Sequence, residues 1–190
     1  LRQDSHLIGK CISDSRIGAK FGVTIGLIER RDGTAFIPDN ETRIQRSDVL
    51  YLFGREERIL PLAKQGLSLR ALTNEGLKVL RTVRLIEIVL APHSRWIGQT
   101  IKEIALRRTF GVSVIALKRQ ERSYRTDVGD IPLQLGDSLL ALGQPASVPA
   151  LRRSAEIIVL EHEAEHALVD WRKGGLAIVQ DPKTAESPYM

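Results

Sequence analysis

A chain of 190 residues with 43% hydrophobic and only 5% aromatic residues can bury a core of Ile, Leu, Val and Ala, in one large domain or two small ones. Its formal net charge of +5 suits an anionic partner without selecting nucleic acid, a membrane surface or a small ligand. The single cysteine, Cys11, excludes an internal disulfide framework, fits a reducing compartment and reads as a small buried hydrophobe.

No apolar run approaches the ~20 residues that span a bilayer, and no signal peptide opens the chain. It starts at Leu1, which reads as part of something longer.

Asp4-Ser5-His6 is a polar turn, followed by a helical pattern around Ile12 and Ile17 that stops at Gly22, a residue suited to a left-handed cap. Val23 to Ile28 is β-branched and apolar and predicts a strand. Asp32-Gly33 is a hairpin signal, with Thr34 to Ile37 returning. Ser47-Asp48 turns the chain into the strand Val49 to Phe53, closed by Gly54, and Arg55 to Lys64 is a short charged helix.

Residues 65–83 read as a connector with helical content from Glu75 to Leu80. Arg84 to Ala91 predicts a strand stopped by Pro92. Thr100 and Glu103 form a T-x-x-E capping box, and Ile101, Ile104 and Ala105 give the helix behind it one apolar face, ended by Gly111. Val112 to Leu117 is a buried strand, Gly136-Asp137 a turn, Ser138 to Leu142 another strand and Ala146 to Arg153 a closing helix. Ile157 to Leu160 predicts one more short strand, Glu161 to Lys173 is polar and helix-compatible, and 181–190 has the composition of a disordered tail.

A shift of 89 residues lays Ser5–Gly54 on Ser94–Gly143 without a gap. Ser5, Ile8, Gly9, Ile12, Phe21, Gly22, Val23, Arg30, Gln45, Asp48, Leu50 and Gly54 then meet identical residues. The matches fall on turn glycines, strand interiors and the turn aspartate, where geometry restricts the choice. The organisation predicted is an α+β chain of two tandem small domains, each a mostly antiparallel sheet with two short helices. The first covers 1–64, with a connector at 65–83; the second covers 84–153, and 154–190 is the tail. The strand Arg84 to Leu90, shifted back, falls ahead of Leu1 or just reaches it, so the first domain is expected to lack most of its opening strand.

His162-Glu163-Ala164-Glu165-His166 has the H-E-x-x-H spacing that sets two zinc ligands and a general base on one helix face. A third ligand and a large cleft do not accompany it, and Glu165 adds a charge inside it, so a solvated helix is the better reading and no enzyme is expected. G-x-G-x-x-G and G-x-x-x-x-G-K-[ST] are absent from the sequence, and Ser5 and Ser94 have no nucleophile elbow. Basic pairs occur at Arg30-Arg31, Arg107-Arg108, Lys118-Arg119 and Arg152-Arg153. Without aromatic platforms or a recognition helix they do not predict nucleic-acid binding. Arg107 stands apart, since it closes the capped helix just before a strand, where a guanidinium can fork onto a phosphate or carboxylate.

The repeated S-x-x-I-G-x-x-I, F-G-V-x-[IV] and [SG]-D-x-L-x-x-x-G together resemble the TrkA C-terminal (RCK_C) domain, in tandem over nearly all of Leu1 to Arg153. The second copy matches best, through Leu85 to Leu90, Pro92-His93-Ser94, Ile97-Gly98, Leu106-Arg107, Phe110-Gly111-Val112 and Gly136-Asp137. The resemblance implies a small α+β domain that dimerises and senses small ligands. Tandem copies resemble the cytosolic insert of bacterial permeases of the divalent-anion:sodium symporter type. The implied setting is a cytoplasmic domain of a protein in the bacterial inner membrane, with its own transmembrane transport domain as partner, a homodimer as assembly and no cofactor. Trp171 to Val179 then resembles a re-entry toward the membrane, cut short by Gln180.

In related potassium regulators the domain binds cyclic di-AMP through an Asp-Ile-Arg-like run and a strand asparagine. The matching positions here are Ala105-Leu106-Arg107, then Ser113 and Val114. The resemblance therefore points to Leu106, Arg107, Arg108, Ser113 and Val114 as ligand-binding residues, with cyclic di-AMP as one effector to test. The first copy has Gly18 at the arginine position, beside Ile17, Thr24 and Ile25, and is expected to be structural. The alternative reading is a ligand-free assembly module.

Overall fold

The computed structural model describes residues 7–65, 67–71, 74–161 and 176–180. Strands β1 (Thr24–Glu29), β2 (Ala35–Phe36), β3 (Val49–Phe53), β4 (Ser68–Ala71) and β10 (Leu176–Gln180) form one sheet, in the order β2-β1-β3-β10-β4. Strands β5 (Arg84–Leu90), β6 (Val112–Arg119), β7 (Arg122–Tyr124), β8 (Ser138–Gly143) and β9 (Ile157–Glu161) form the other, in the order β7-β6-β8-β5-β9. Every pairing is antiparallel. The helices are short: α1 (Ile12–Ser15), α2 (Ile17–Phe21), α3 (Glu56–Ile59), α4 (Asn74–Leu80), α5 (Ile101–Ile104), α6 (Leu106–Phe110) and α7 (Val148–Arg152). The α+β class and antiparallel sheets read from the sequence are those of the molecule.

The repeat extends to backbone detail. Where periodicity predicts one helix behind Thr100, Ala105 takes φ 54° and splits it into α5 and α6. Ala105 is thus a hinge rather than the last member of an apolar stripe. The same break falls 89 residues earlier, at Arg16 with φ 52°. Breaking the helix re-aims the next residue inward, and Ile17 and Leu106 are 2% and 1% exposed. The expected capping box is present: Thr100 Oγ1 accepts from Glu103 N–H, and Thr100 N–H donates to Glu103 Oε2 at 2.7 Å. Cys11 stands at the matching position with no side-chain cap and is half-buried rather than buried.

The repeated Arg, Gln and Asp form a turn clamp in each unit. Arg119 donates to both carboxylate oxygens of Asp137, at 2.7 and 2.8 Å, and to Pro132 O, while Gln134 N–H donates to Asp137 Oδ2. Arg30, Asp48, Arg43 O and Gln45 N–H repeat this arrangement. Asp48 and Asp137 are buried, and a charge is tolerated there because a bidentate guanidinium and a backbone amide satisfy it.

Each unit has its own apolar core, one around Ile17, Ile28, Ile44 and Leu52, the other around Ile86, Leu106, Val112 and Leu133. A third cluster joins them, with Leu27, Tyr51 and Phe53 meeting Leu85, Ile115 and Leu142. Burying side chains of this size is worth about 1.5–3 kcal/mol each, which makes the inter-unit packing a substantial interface. β-bulges interrupt β1 between Ile25 and Leu27 and β6 between Val114 and Ala116, again 89 residues apart. At the bulged position the second unit has Ile115 and the first has Gly26. A Cβ on Gly26 would meet Phe53 at 2.5 Å and Leu142 at 3.0 Å, so the missing side chain makes room for the interface.

The regions outside the repeat core also take part in sheets. β4 lies in the expected connector and belongs to the first sheet, and α4 forms where helical content was expected. β9 forms as expected and pairs with β5. Leu176 to Val179, the end of the stretch Trp171 to Val179 that the resemblance assigned to a membrane re-entry, instead lie with Gln180 between β3 and β4 as a strand. Five residues broken by Gln180 are enough for a strand and far too few for a span. Among the described residues no helix is long and apolar enough to cross a membrane. Ser5, the H-E-x-x-H run at 162–166 and residues 181–190 lie outside the described residues.

Candidate functional site

The two units enclose a cleft of about 880 Å³. Its walls are α1, α2 and the start of β1 from the first unit, α5 and α6 from the second, and the loops at 39–41 and 127–130. The units meet here through backbone as well as apolar contact: Asp127 N–H donates to Gly22 O at 3.2 Å. Gly22 has φ 66°, and a Cβ on it would meet Thr126 Cγ2 at 2.5 Å. The glycine that ends α2 therefore serves twice, as a left-handed cap and as the surface on which the other unit rests. Its counterpart Gly111 meets only Ser147, within its own unit.

Arg107 crosses this boundary. Its Nη2 donates to Ile25 O in the first unit at 3.0 Å and to Ser113 Oγ in the second at 2.6 Å. These use Nη2, and among the described residues no acceptor takes the donors on Nη1 and Nε and no carboxylate lies within ion-pair distance. Burial penalises the charge and pulls the guanidinium down to about 10, with Asp39 across the cleft pulling weakly the other way. A half-buried guanidinium with donors left over has the chemistry to pair with an anion.

The five residues expected to bind ligand divide by position. Leu106, Arg107, Arg108 and Val114 line the cleft. Leu106 and Val114 are buried apolar walls, Arg108 is exposed, and Ser113, also buried, orients Arg107 from behind. The remaining wall was not legible: Arg16, Asp39, Glu41, Lys102, Asp127 and Asp130 also line the cleft. Lys102 pairs with both oxygens of Asp130 at 2.6 and 2.8 Å at its rim. Arg16 sits at the first unit's helix break. Only the repeat could have found it, by matching Arg16 with Ala105. The cleft is asymmetric: where the second unit presents Arg107, the first presents Gly18, and where it presents Ser113 and Val114 the first has Thr24 and Ile25. Among the described residues no cluster of His, Cys, Asp and Glu could hold a metal ion.

Comparison with known proteins gives a consistent picture. The model of the TrkA-C domain matches residues 1–65 and 85–155, the two repeat units in turn. The chain is 28% identical over 185 residues to the uncharacterized transporter sll0640 of Synechocystis, covering 92% of this chain and 30% of that protein. It is 26% identical to the uncharacterized transporter YfbS of Escherichia coli, covering 75% of this chain and 25% of that protein. Sodium/sulfate cotransporter 1 of Chlamydomonas reinhardtii is 23% identical, over 74% of this chain and 16% of that protein. The chain thus spans less than a third of the length of these relatives. Among solved structures, the RCK C domain of the potassium transport protein KtrA, in complex with cyclic diadenosine monophosphate, is similar over 42% of this chain and 91% of that one. Its TM-score is 0.37 at 23% identity.

Proposed function

Since the chain belongs to the TrkA-C domain family, we propose that it is the regulatory part of a membrane transporter and works by binding a small ligand between its units rather than by catalysis. The observation that carries this reading is Arg107, whose half-buried guanidinium bridges the two units with donors to spare. A ligand that pairs with Arg107 and touches α1 and α2 has more contacts when the units are closed than when they part. Its differential affinity then sets the balance between arrangements, and an attached transport domain experiences that balance as regulation. The relatives that span most of this chain are transporters, which supports a transport domain as partner and a cytoplasmic position at the bacterial inner membrane. The homodimer expected of such domains belongs to the same proposal.

The ligand class most compatible with a cationic floor and apolar walls is an anion with a flat apolar part, such as a nucleotide. Cyclic di-AMP is the first to test, because it is bound by the KtrA domain. The departures from the expected run, Ala105 for the acid and Ser113 or Val114 for the asparagine, weigh against an identical binding mode. Calorimetry with a panel of nucleotides and cyclic dinucleotides tests the reading. Saturable binding lost on Arg107→Met supports it. No binding across the panel, together with a stable dimer in light scattering, favours the assembly reading. That alternative has its own observation: Ile158 and Leu160, on the edge strand β9, are 50% and 42% exposed.

A further inference from the structure

The repeat puts equivalent loops on the two walls of the cleft. Under the 89-residue shift, loop 39–41 of the first unit lies on residues 128–130 of the second, and both line the cleft. The charges on the two walls do not repeat. Arg107 belongs to the second unit and has Gly18 as its counterpart, while Asp39 belongs to the first and has Val128. A cation on one wall and a carboxylate on the other thus break what would otherwise be a two-fold pair.

Both groups are held with capacity to spare. The contacts that fix Arg107, to Ile25 O and Ser113 Oγ, use Nη2. Asp39 is fixed through Oδ1, which accepts from Thr42 Oγ1 at 2.6 Å and from Glu41 N–H at 3.1 Å. Its loop is tied to α1, where Ile12 N–H donates to Thr42 O and Ser13 N–H to Asn40 O, both at 3.0 Å. Among the described residues no donor takes Asp39 Oδ2 and no cation lies within ion-pair distance of it. The hydrogen bond from Thr42 holds the Asp39 carboxyl below the usual carboxylate range, so it stays ionised. Of the carboxylates lining the cleft, Asp39 is the one that acts on the Arg107 charge. Lys102 and Asp130 pair with each other, and Glu103 closes its capping box.

We infer that the ligand of the cleft is dipolar, an asymmetric anion that pairs with Arg107 and carries on its other side an N–H donor, such as an exocyclic amine, accepted by Asp39 Oδ2. The inference rests on the reading of Arg107 as an anion site and adds a second determinant on the opposite wall. A carboxylate there repels a second anion. It rewards a donor, because a site built to make a hydrogen bond rejects the analogue that lacks the group. A two-fold-symmetric dianion would turn one of its charges toward Asp39. A monophosphate of an amine-bearing base satisfies both walls, with phosphate on the guanidinium and amine on the carboxylate.

Calorimetry on the full chain compares AMP with IMP and CMP with UMP, pairs in which a carbonyl replaces the amine. In whichever pair binds, the amine-bearing member should bind at least about tenfold more tightly, as expected where a charged acceptor is otherwise left unpaired. Asp39→Asn keeps Oδ1 for Thr42 and Glu41 and turns a donor toward the cleft in place of Oδ2. It should erase or reverse the preference, with the thermal midpoint unchanged. Arg107→Met should lose all four nucleotides. The comparison in the parent chain decides by itself if the asparagine variant does not fold. Equal binding of amine and carbonyl forms, lost on Arg107→Met, overturns the inference and leaves the anion site standing. Binding of cyclic di-AMP with none of the four nucleotides does the same. A preference that survives Asp39→Asn means the amine is read elsewhere and also overturns the inference. No binding by any of these compounds overturns both readings.

Discussion

Replacing Arg107 by methionine separates a ligand-binding arginine from one that only ties the units together. Methionine keeps most of the side chain's length and apolar stem. The variant loses two hydrogen bonds from a cation, to Ile25 O and Ser113 Oγ, each worth about 1.5–3 kcal/mol. Against this stands the cost of keeping the charge buried. The guanidinium is pulled down to about 10 from an ordinary value above 12, and each pH unit corresponds to about 1.4 kcal/mol, so the charged form is disfavoured here by on the order of 3 kcal/mol. The two contributions offset each other in large part. The difference is between zero and about 3 kcal/mol in favour of arginine, so Arg107→Met should destabilise the chain by less than about 3 kcal/mol, measured as the shift in the denaturation midpoint at constant slope. Binding of the anionic ligand should meanwhile be lost. A destabilisation of 3 kcal/mol or more would refute the reasoning, because it would make the bridge a net structural tie and leave the proposed site without its distinguishing residue.

Asp137→Ala removes the acceptor of three hydrogen bonds in the second turn clamp and should cost about 3 kcal/mol. Asp48→Ala should cost a similar amount, and hydrogen exchange should place each loss in its own unit. Gly26→Val puts a side chain where a Cβ already lies 2.5 Å from Phe53. It should destabilise by about 1–3 kcal/mol and speed limited proteolysis between the units. Acid should loosen the second unit. Hydrogen bonds from Thr100 hold the Glu103 carboxyl, and those from Arg95 hold Glu156, below the usual carboxylate range. Because the folded values are depressed, their contribution is present above about pH 5 and fades as pH falls through the folded values. Thermal melts from pH 7 to pH 3 should fall more steeply for the parent chain than for a Glu103→Gln, Glu156→Gln variant.

What the sequence disclosed depended on whether a residue's reason was local or distant. Gly22, Asp48, Asp137, Thr100 and Glu103 were legible because a left-handed cap, a turn carboxylate and a capping box need particular side chains at fixed offsets. The break at Ala105 was not, since alanine is a good helix former and only burial of Leu106 beside it turns the chain. Gly26 was legible only as one residue of the strand Val23 to Ile28. Its reason is Phe53 and Leu142, one of them in the other unit. The cleft's acidic and basic rim, from Asp39 to Asp130, is drawn from several loops, and no periodicity links them. Residues 176–180 misled because apolar composition alone does not distinguish a strand from the start of a span.

Duplication within one chain explains why the cleft is one-sided. Two identical domains meeting about a two-fold axis must present every residue twice, so an arginine at the position of Arg107 would face a second copy of itself. Two cations without counter-ions in one desolvated cleft repel, and each raises the cost of burying the other. A tandem chain is free of that constraint. It keeps the arginine in one unit and has Gly18 in the other, with Ile25, the residue matching Val114, offering its carbonyl to the single guanidinium. The same freedom lets Gly26 replace the isoleucine of the second unit, so that Phe53 fills space Ile115 occupies on the other side. The turn clamps, the bulges and the left-handed breaks stay duplicated because each unit needs them to fold. Arg107 against Gly18 and Ile115 against Gly26 are two of the divergent pairs, and both lie where the units face each other.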